Sequence, residues 1–144
     1  MSQTNEAHKT VAIIAPYDEQ GRILLQERIP KFGEKWGFFG GHIEPGETKE
    51  EALIREIQEE LDHKLQRYEY LGEFTSEYRP GRTATRHLFI TPLWEKPVNL
   101  DVREGKGASV FTLEQARKLA LIPGDEEGLL LTEKKLREKG IIPS

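Results

Sequence analysis

Glu56, Glu59 and Glu60 stand together beside Arg55 in a stretch that reads as helix. At about 100° per residue, positions i, i+3 and i+4 share one arc of a helix, so the three carboxylates crowd one another. Like charges at this spacing cost about a few tenths of a kcal/mol per pair. The cluster also falls in the last two turns, where the helix dipole disfavours negative charge. Only Arg55 and Lys64 are near enough in sequence to offset it. A solvated acidic face is one account of such a cluster. The other is a divalent cation, because hard oxygen ligands grouped this way suit Mg²⁺ or Mn²⁺.

The helix that must carry these groups is predicted over Thr48–Leu61. Thr48 is its N-cap, and Glu51 three residues on completes a capping box. Leu53, Ile57 and Leu61 recur at i, i+4 and i+8 with Ile54 alongside, which makes one buried stripe. Ahead of the helix, Gly40, Gly41 and Gly46 with Pro45 allow a tight backbone path that approaches a ligand closely. A carbonyl from such a loop can join carboxylates around a metal. Strands are expected at Lys9–Ala15, Arg22–Arg28, Leu65–Tyr78, Ala84–Glu95 and Ala108–Phe111, the third and fourth joined through Pro80–Gly81. Further helices are expected at Thr112–Ala120, opening with a Thr112/Gln115 capping box, and at Asp125–Lys139, stopping at Gly140. Strands gathered around one central helix point to an α/β (α+β) chain with helices on the faces of a mixed sheet.

At 144 residues the chain is expected to form one domain over residues 9–144 behind a flexible lead-in, residues 1–8. With 36% hydrophobic and 32% charged residues it is polar but foldable. The net charge of −4 excludes a generally basic nucleic-acid binder. The absence of cysteine excludes disulfide frameworks, thiolate metal sites and thiol nucleophiles. Apolar runs are too short to span a membrane, and the N-terminus has no apolar signal core, so a cytoplasmic protein is expected. His8, His42, His63 and His87 form no H-E-x-x-H pair, and there is no G-x-S-x-G elbow or Walker loop.

Gly41, Glu47, Arg55-Glu56-Ile57 and Glu59-Glu60 fall at the offsets of the Nudix box, G-x5-E-x7-R-E-U-x-E-E-x-G-U, where U is a bulky aliphatic residue. Every charged position is present. The departures lie at the end, where Asp62 and His63 replace the glycine and the aliphatic residue. Asp tolerates the left-handed conformation of a helix end at some cost. The aromatic lead-in Trp36–Phe39 and the order of elements are also similar to the family, although Phe39 stands where many relatives carry proline. The resemblance implies an α/β/α sandwich with a mixed central sheet. It implies hydrolysis of a nucleoside diphosphate linked to another moiety, with Mg²⁺ or Mn²⁺. Glu56, Glu59, Glu60 and the Gly41 carbonyl would hold the metal, Arg55 would orient the carboxylates, and Glu47 would hold Arg55. The general base is left between Glu56 and a carboxylate on a later loop. Glu104 is the candidate there, with a solvated loop charge as the other reading. The rival class is a non-catalytic Nudix domain that binds a nucleotide or protein, and such domains usually reveal themselves by lost glutamates. The lack of cysteine argues against the isopentenyl diphosphate isomerase class of this fold.

A short chain without an added domain points first to nucleoside triphosphates, oxidised ones included. ADP-ribose, nucleotide sugars and dinucleoside polyphosphates stay open. The expected partner is a small-molecule nucleotide rather than a nucleic-acid polymer or membrane, with a homodimer left open. Candidate substrate contacts are Arg28, Phe39, Tyr78, Arg82, Arg86 and Asp125. Arg79, Arg82 and Arg86, in or beside the Pro80–Gly81 loop, either grip phosphates or form a solvated hairpin tip. Tyr17, Trp36, Phe38 and Phe39 either stack on a base or fill the core. Asp125, behind Pro123-Gly124, occupies a region that resembles the purine-reading loop of mutator-type relatives, or else it caps a helix.

Overall fold

A computed structural model describes residues 7–27, 35–96 and 107–143. Its elements run β1 (His8–Tyr17), β2 (Ile23–Glu27), β3 (Trp36–Gly37), β4 (Phe39–His42), α1 (Lys49–Leu61), β5 (Glu69–Arg79), β6 (Arg82–Pro92), β7 (Gly107–Phe111), α2 (Leu113–Arg117) and α3 (Asp125–Glu138). The sheet is mixed, with the order β3-β2-β1-β6-β5, while β4 also pairs with β1 and β7 with β2. At its centre β1 runs parallel to β6 from His8↔Thr83 to Tyr17↔Pro92, and antiparallel to β4 from Val11↔His42 to Ile14↔Phe39. The first strand thus begins inside the expected lead-in, at His8, and runs on to Tyr17, past its expected end at Ala15.

Strand alternation divides the core into two. Val11, Ile13 and Ala15 point to the face covered by α2 and α3, where they meet Phe38, Phe74, Leu113, Leu129 and Leu136. Ala12 and Ile14 point to the opposite face, against Phe39, Leu53, Ile57, Leu61 and Phe89. Both faces of β1 are covered, which is why it reads as an apolar run rather than an alternating one. Leu53 and Ile57 are fully buried, each contributing about 1.5–3 kcal/mol of hydrophobic stabilisation. Among the described residues no helix is long and apolar enough to cross a membrane.

The helix ends follow the local chemistry. Both capping boxes form: Thr48 with Glu51, and Thr112 with Gln115. Asp62 ends α1 at φ 51°, the one non-glycine with positive φ among the described residues. His63 stacks on Trp94 with ring centres 3.9 Å apart, so it supplies a flat apolar face in place of an aliphatic side chain. The helix expected over Thr112–Ala120 closes early, at Arg117. The segment beyond it joins β3: Trp36 N–H donates to Ala120 O at 2.8 Å, and Ile122 N–H donates to Trp36 O at 2.9 Å. This pairing delivers the start of α3 to the mouth of the sheet.

Candidate active site

A cavity of about 560 Å³ opens on the α2/α3 face of the sheet. Its floor is Val11, Ile13 and Ala84, its acidic wall is Glu56 and Glu60 behind Gly40–His42, and its far end is Phe38, Arg86, Ile122 and Asp125. Lys9, Lys35, Tyr78 and Arg79 complete the lining. The register shift between Glu77 and Arg79 in β5 lets the adjacent Tyr78 and Arg79 both border the cavity. The Tyr78 ring carries the Lys9 ammonium 4.3 Å from its centre.

The acidic wall is ordered by Arg55. Its Nε and Nη2 donate to the two Glu47 oxygens at 2.8 and 2.9 Å, and Nη2 also donates to His42 O at 3.0 Å. Nη1 donates to Glu56 at 2.9 Å and approaches Glu59 at 3.5 Å. This fork offsets charge at Glu56 and, at longer range, at Glu59. It also holds the Glu47 carboxyl down at about 2, first through Arg55 and then through the Glu44 N–H. Burial lowers the His42 imidazole, and the Lys9 charge lowers it further.

Two glycines bring the backbone to these carboxylates. A Cβ on Gly41 would fall 2.4 Å from the Glu56 carboxyl carbon. Gly40, at φ +136°, lies so close to β1 that a Cβ would strike Ala12 O at 2.0 Å. Its N–H donates to Glu60 Oε1 at 3.1 Å. Glu60 is 5% exposed, so this carboxylate is buried at the cavity wall rather than solvated. Glu59, by contrast, has a side chain 53% exposed and is not among the lining residues.

The chain matches the model of the NUDIX domain over residues 6–132. It belongs to the Nudix family. This Nudix chain is 30% identical over 120 residues to the CTP pyrophosphohydrolase of Escherichia coli, covering 81% of the chain and 87% of that protein. It is 38% identical over 99 residues to the 8-oxo-dGTP diphosphatase of E. coli, covering 67% and 76% respectively. Its fold matches the MutT protein of Methanosarcina mazei with a TM-score of 0.75 at 19% identity, covering 95% of this chain and 99% of that one. The chain is therefore a MutT-like Nudix hydrolase with the mixed sheet and three helices of that fold.

Several expected substrate residues lie elsewhere. Phe39 is fully buried between the sheet and α1, because β4 aims it away from the cavity. Its neighbour Phe38 takes the cavity side instead. Trp36 packs edge-on against Phe111 at 5.0 Å, and Tyr17 packs against the α2/α3 core, so neither faces the cavity. The three arginines do not act as one loop cluster. Arg79 borders the cavity, Arg82 opens β6 without lining it, and Arg86 is buried within β6 where its side chain closes the far end of the cavity. Asp125 is not a cap: Gly124 holds the N-cap position of α3, and Asp125 is the first helical residue. Arg28 and Glu104 lie outside the described residues. Lys9 and Lys35 were not singled out from the sequence. Lys9 has one signal there, since it shares the alternation of Val11 and Ile13 on β1.

Proposed function

We propose that this Nudix hydrolase cleaves a nucleoside triphosphate to the monophosphate and pyrophosphate, using Mg²⁺ or Mn²⁺. The carrying observation is the polarity of one cavity. Carboxylates of Glu56 and Glu60 form one wall, the cations of Lys9, Lys35 and Arg79 lie around the rest, and an apolar floor runs to Asp125. The floor and Phe38 suit a nucleobase, and the cations suit phosphates.

The donors fit a hard cation. Among the described residues no three of His, Cys, Asp and Glu converge closely enough to hold an ion. Two carboxylates with backbone carbonyls nonetheless suit Mg²⁺, which typically takes one or two protein carboxylates and fills its shell from water and substrate phosphate. Glu56, Glu60 and the Gly41 carbonyl would hold it, with Glu59 recruited from its long contact with Arg55. When bound, the cation polarises phosphoryl oxygens and acidifies the attacking water. Arg55 sets the angle of Glu56, and Glu47 anchors Arg55. Gly40 N–H fixes Glu60 in its buried position. Asp125 meets the edge of the base. The relatives that act on CTP and on 8-oxo-dGTP support a nucleoside triphosphate without choosing the base.

A panel of nucleoside triphosphates, oxidised ones included, with ADP-ribose, nucleotide sugars and dinucleoside polyphosphates, read by released pyrophosphate or phosphate, tests this reading. Turnover of a triphosphate that stops in excess chelator is expected. Glu60→Gln should lower kcat about a hundredfold or more while keeping the fold, because the amide oxygen still accepts the Gly40 N–H. Full turnover in excess chelator, or no turnover of any triphosphate, refutes it.

A further inference from the structure

At the far end of the cavity, Arg86 and Asp125 form an ion pair of 3.1 Å between Nε and Oδ1, with both residues more than nine-tenths buried. Arg86 does more than neutralise a charge. Nη1 donates to Ser76 Oγ at 2.8 Å on β5, and Nη2 donates to Pro123 O at 2.7 Å in the turn before α3. Its guanidinium lies 5.6 Å from the centre of the Phe74 ring. One side chain therefore ties β5, β6 and the 122–125 turn together.

The turn is built to receive it. Gly124 has φ +98°, and a Cβ there would strike Ser76 Oγ at 2.3 Å and the Arg86 nitrogens at 2.7 and 2.8 Å. Gly37 leaves room on the other side, since a Cβ there would stand 3.0 Å from Asp125 Oδ2. Asp125 is thus clamped between Arg86 and β3 at the point where the cavity ends.

We propose that Arg86 is a positioning and specificity-determining residue: it fixes the Asp125 carboxylate as an acceptor-only group at the end of the cavity, so the site takes nucleotides with an amino-bearing base and disfavours uracil and thymine. The inference rests on the cavity being a nucleotide site. An ion-paired carboxylate accepts hydrogen bonds and donates none. Cytosine, adenine and guanine each offer an amino group. Thymine and uracil offer one ring N–H flanked by two carbonyl oxygens, whose lone pairs face the carboxylate. Free rotation of Asp125 would blur this contrast, and the clamp prevents it.

Calorimetric affinities of dCMP, dAMP, dGMP and dTMP, measured without metal, test the proposal independently of turnover. For the wild type, at least one amino-bearing monophosphate should bind about tenfold or more tighter than dTMP, and none weaker. In Arg86→Met that advantage should shrink to about twofold, and Tm should fall by about 10 °C as Asp125 loses its partner. Arg86→Lys keeps a cation but loses the fork. It should weaken binding of the best monophosphate about threefold to tenfold and leave dTMP unchanged. The double variant Arg86→Met/Asp125→Leu should recover Tm without recovering the preference, since a purely structural pair would return both. The proposal is overturned by equal binding of all four monophosphates to the wild type, by an unchanged preference in Arg86→Met, or by unchanged affinities in Arg86→Lys. Binding with the expected preference but no triphosphate turnover would sink the hydrolytic reading alone.

Discussion

Glu47, placed before α1, grips Arg55 two turns along the helix with both carboxylate oxygens, at 2.8 and 2.9 Å. Neither residue is among those that line the cavity. Their contact reaches it through Arg55 Nη1, which donates to Glu56. A bidentate fork of this kind fixes angle as well as distance.

Removing the anchor should therefore reach the chemistry. Glu47→Gln is expected to lower kcat/KM about tenfold to a hundredfold at neutral pH, with Glu56 intact. The same contact makes a statement about acid. The Glu47 carboxyl is lowered from 4.5 to about 2 in the fold. A depressed carboxyl stabilises the fold above its unfolded value, and that contribution is lost as pH falls from about 4.5 towards about 2. Acid melts of wild type and Glu47→Gln should converge across that window and diverge above it. NMR titration of Glu47 near its ordinary value would remove the basis for the anchor.

Gly40 and Gly41 are neighbours that should fail in different ways. Alanine at 41 places a methyl group against the Glu56 carboxyl, a flexible side chain that can be pushed aside. Activity should fall about a hundredfold, as misplacement by about 1 Å can cost that much, with Tm changed by only a few degrees. Alanine at 40 meets the Ala12 carbonyl in the central strand and needs φ +136°. It should destabilise the fold by about 3 kcal/mol or more. Parallel melts and kinetics on both variants separate the two effects, and equal losses of stability would contradict the contrast.

Asp62 carries a backbone cost where α1 ends. A left-handed L-residue costs roughly 1–2 kcal/mol, less for Asp, and here Gln58 Nε2 recovers part of it by donating to Asp62 Oδ1 at 3.0 Å. Asp62→Gly should stabilise the chain by about 0.5 kcal/mol, and Asp62→Val should destabilise it by about 1 kcal/mol or more. Denaturant midpoints check both signs, and activity at saturating metal should follow neither.

The legible parts of the site were those whose causes are local. Thr48 and Glu51 are three residues apart, the Leu53–Ile57–Leu61 stripe has helical period, and the offset from Gly41 to Glu60 is fixed by one turn and one helix. The Arg86–Asp125 pair is different. It joins a strand to a helix start 39 residues later, brought together by the pairing of Trp36 with the 120–122 segment and by the packing of α3 on the sheet. Spacing alone placed Arg86 beside the Pro80–Gly81 loop, in the strand expected over Ala84–Glu95, with no sign of its partner. The exchange of Phe38 and Phe39 has a similar origin, since a short break between β3 and β4 decides which ring faces which side. Adjacent aromatics carry no sequence mark of that choice.

The parallel pairing of β1 with β6 sets an order in time. His8 and Thr83, hydrogen-bonded at 2.7 Å, lie 75 residues apart in the chain, and Asp125 comes later still. Synthesis proceeds at about 5–20 residues per second, so the acidic helix leaves the ribosome seconds before the cavity floor exists. A nascent chain halted before β6 carries every glutamate of the Nudix box and no cavity beside them. The cavity is thus complete only when the last third of the chain, which supplies Ile122, Pro123 and Asp125, has closed over the sheet.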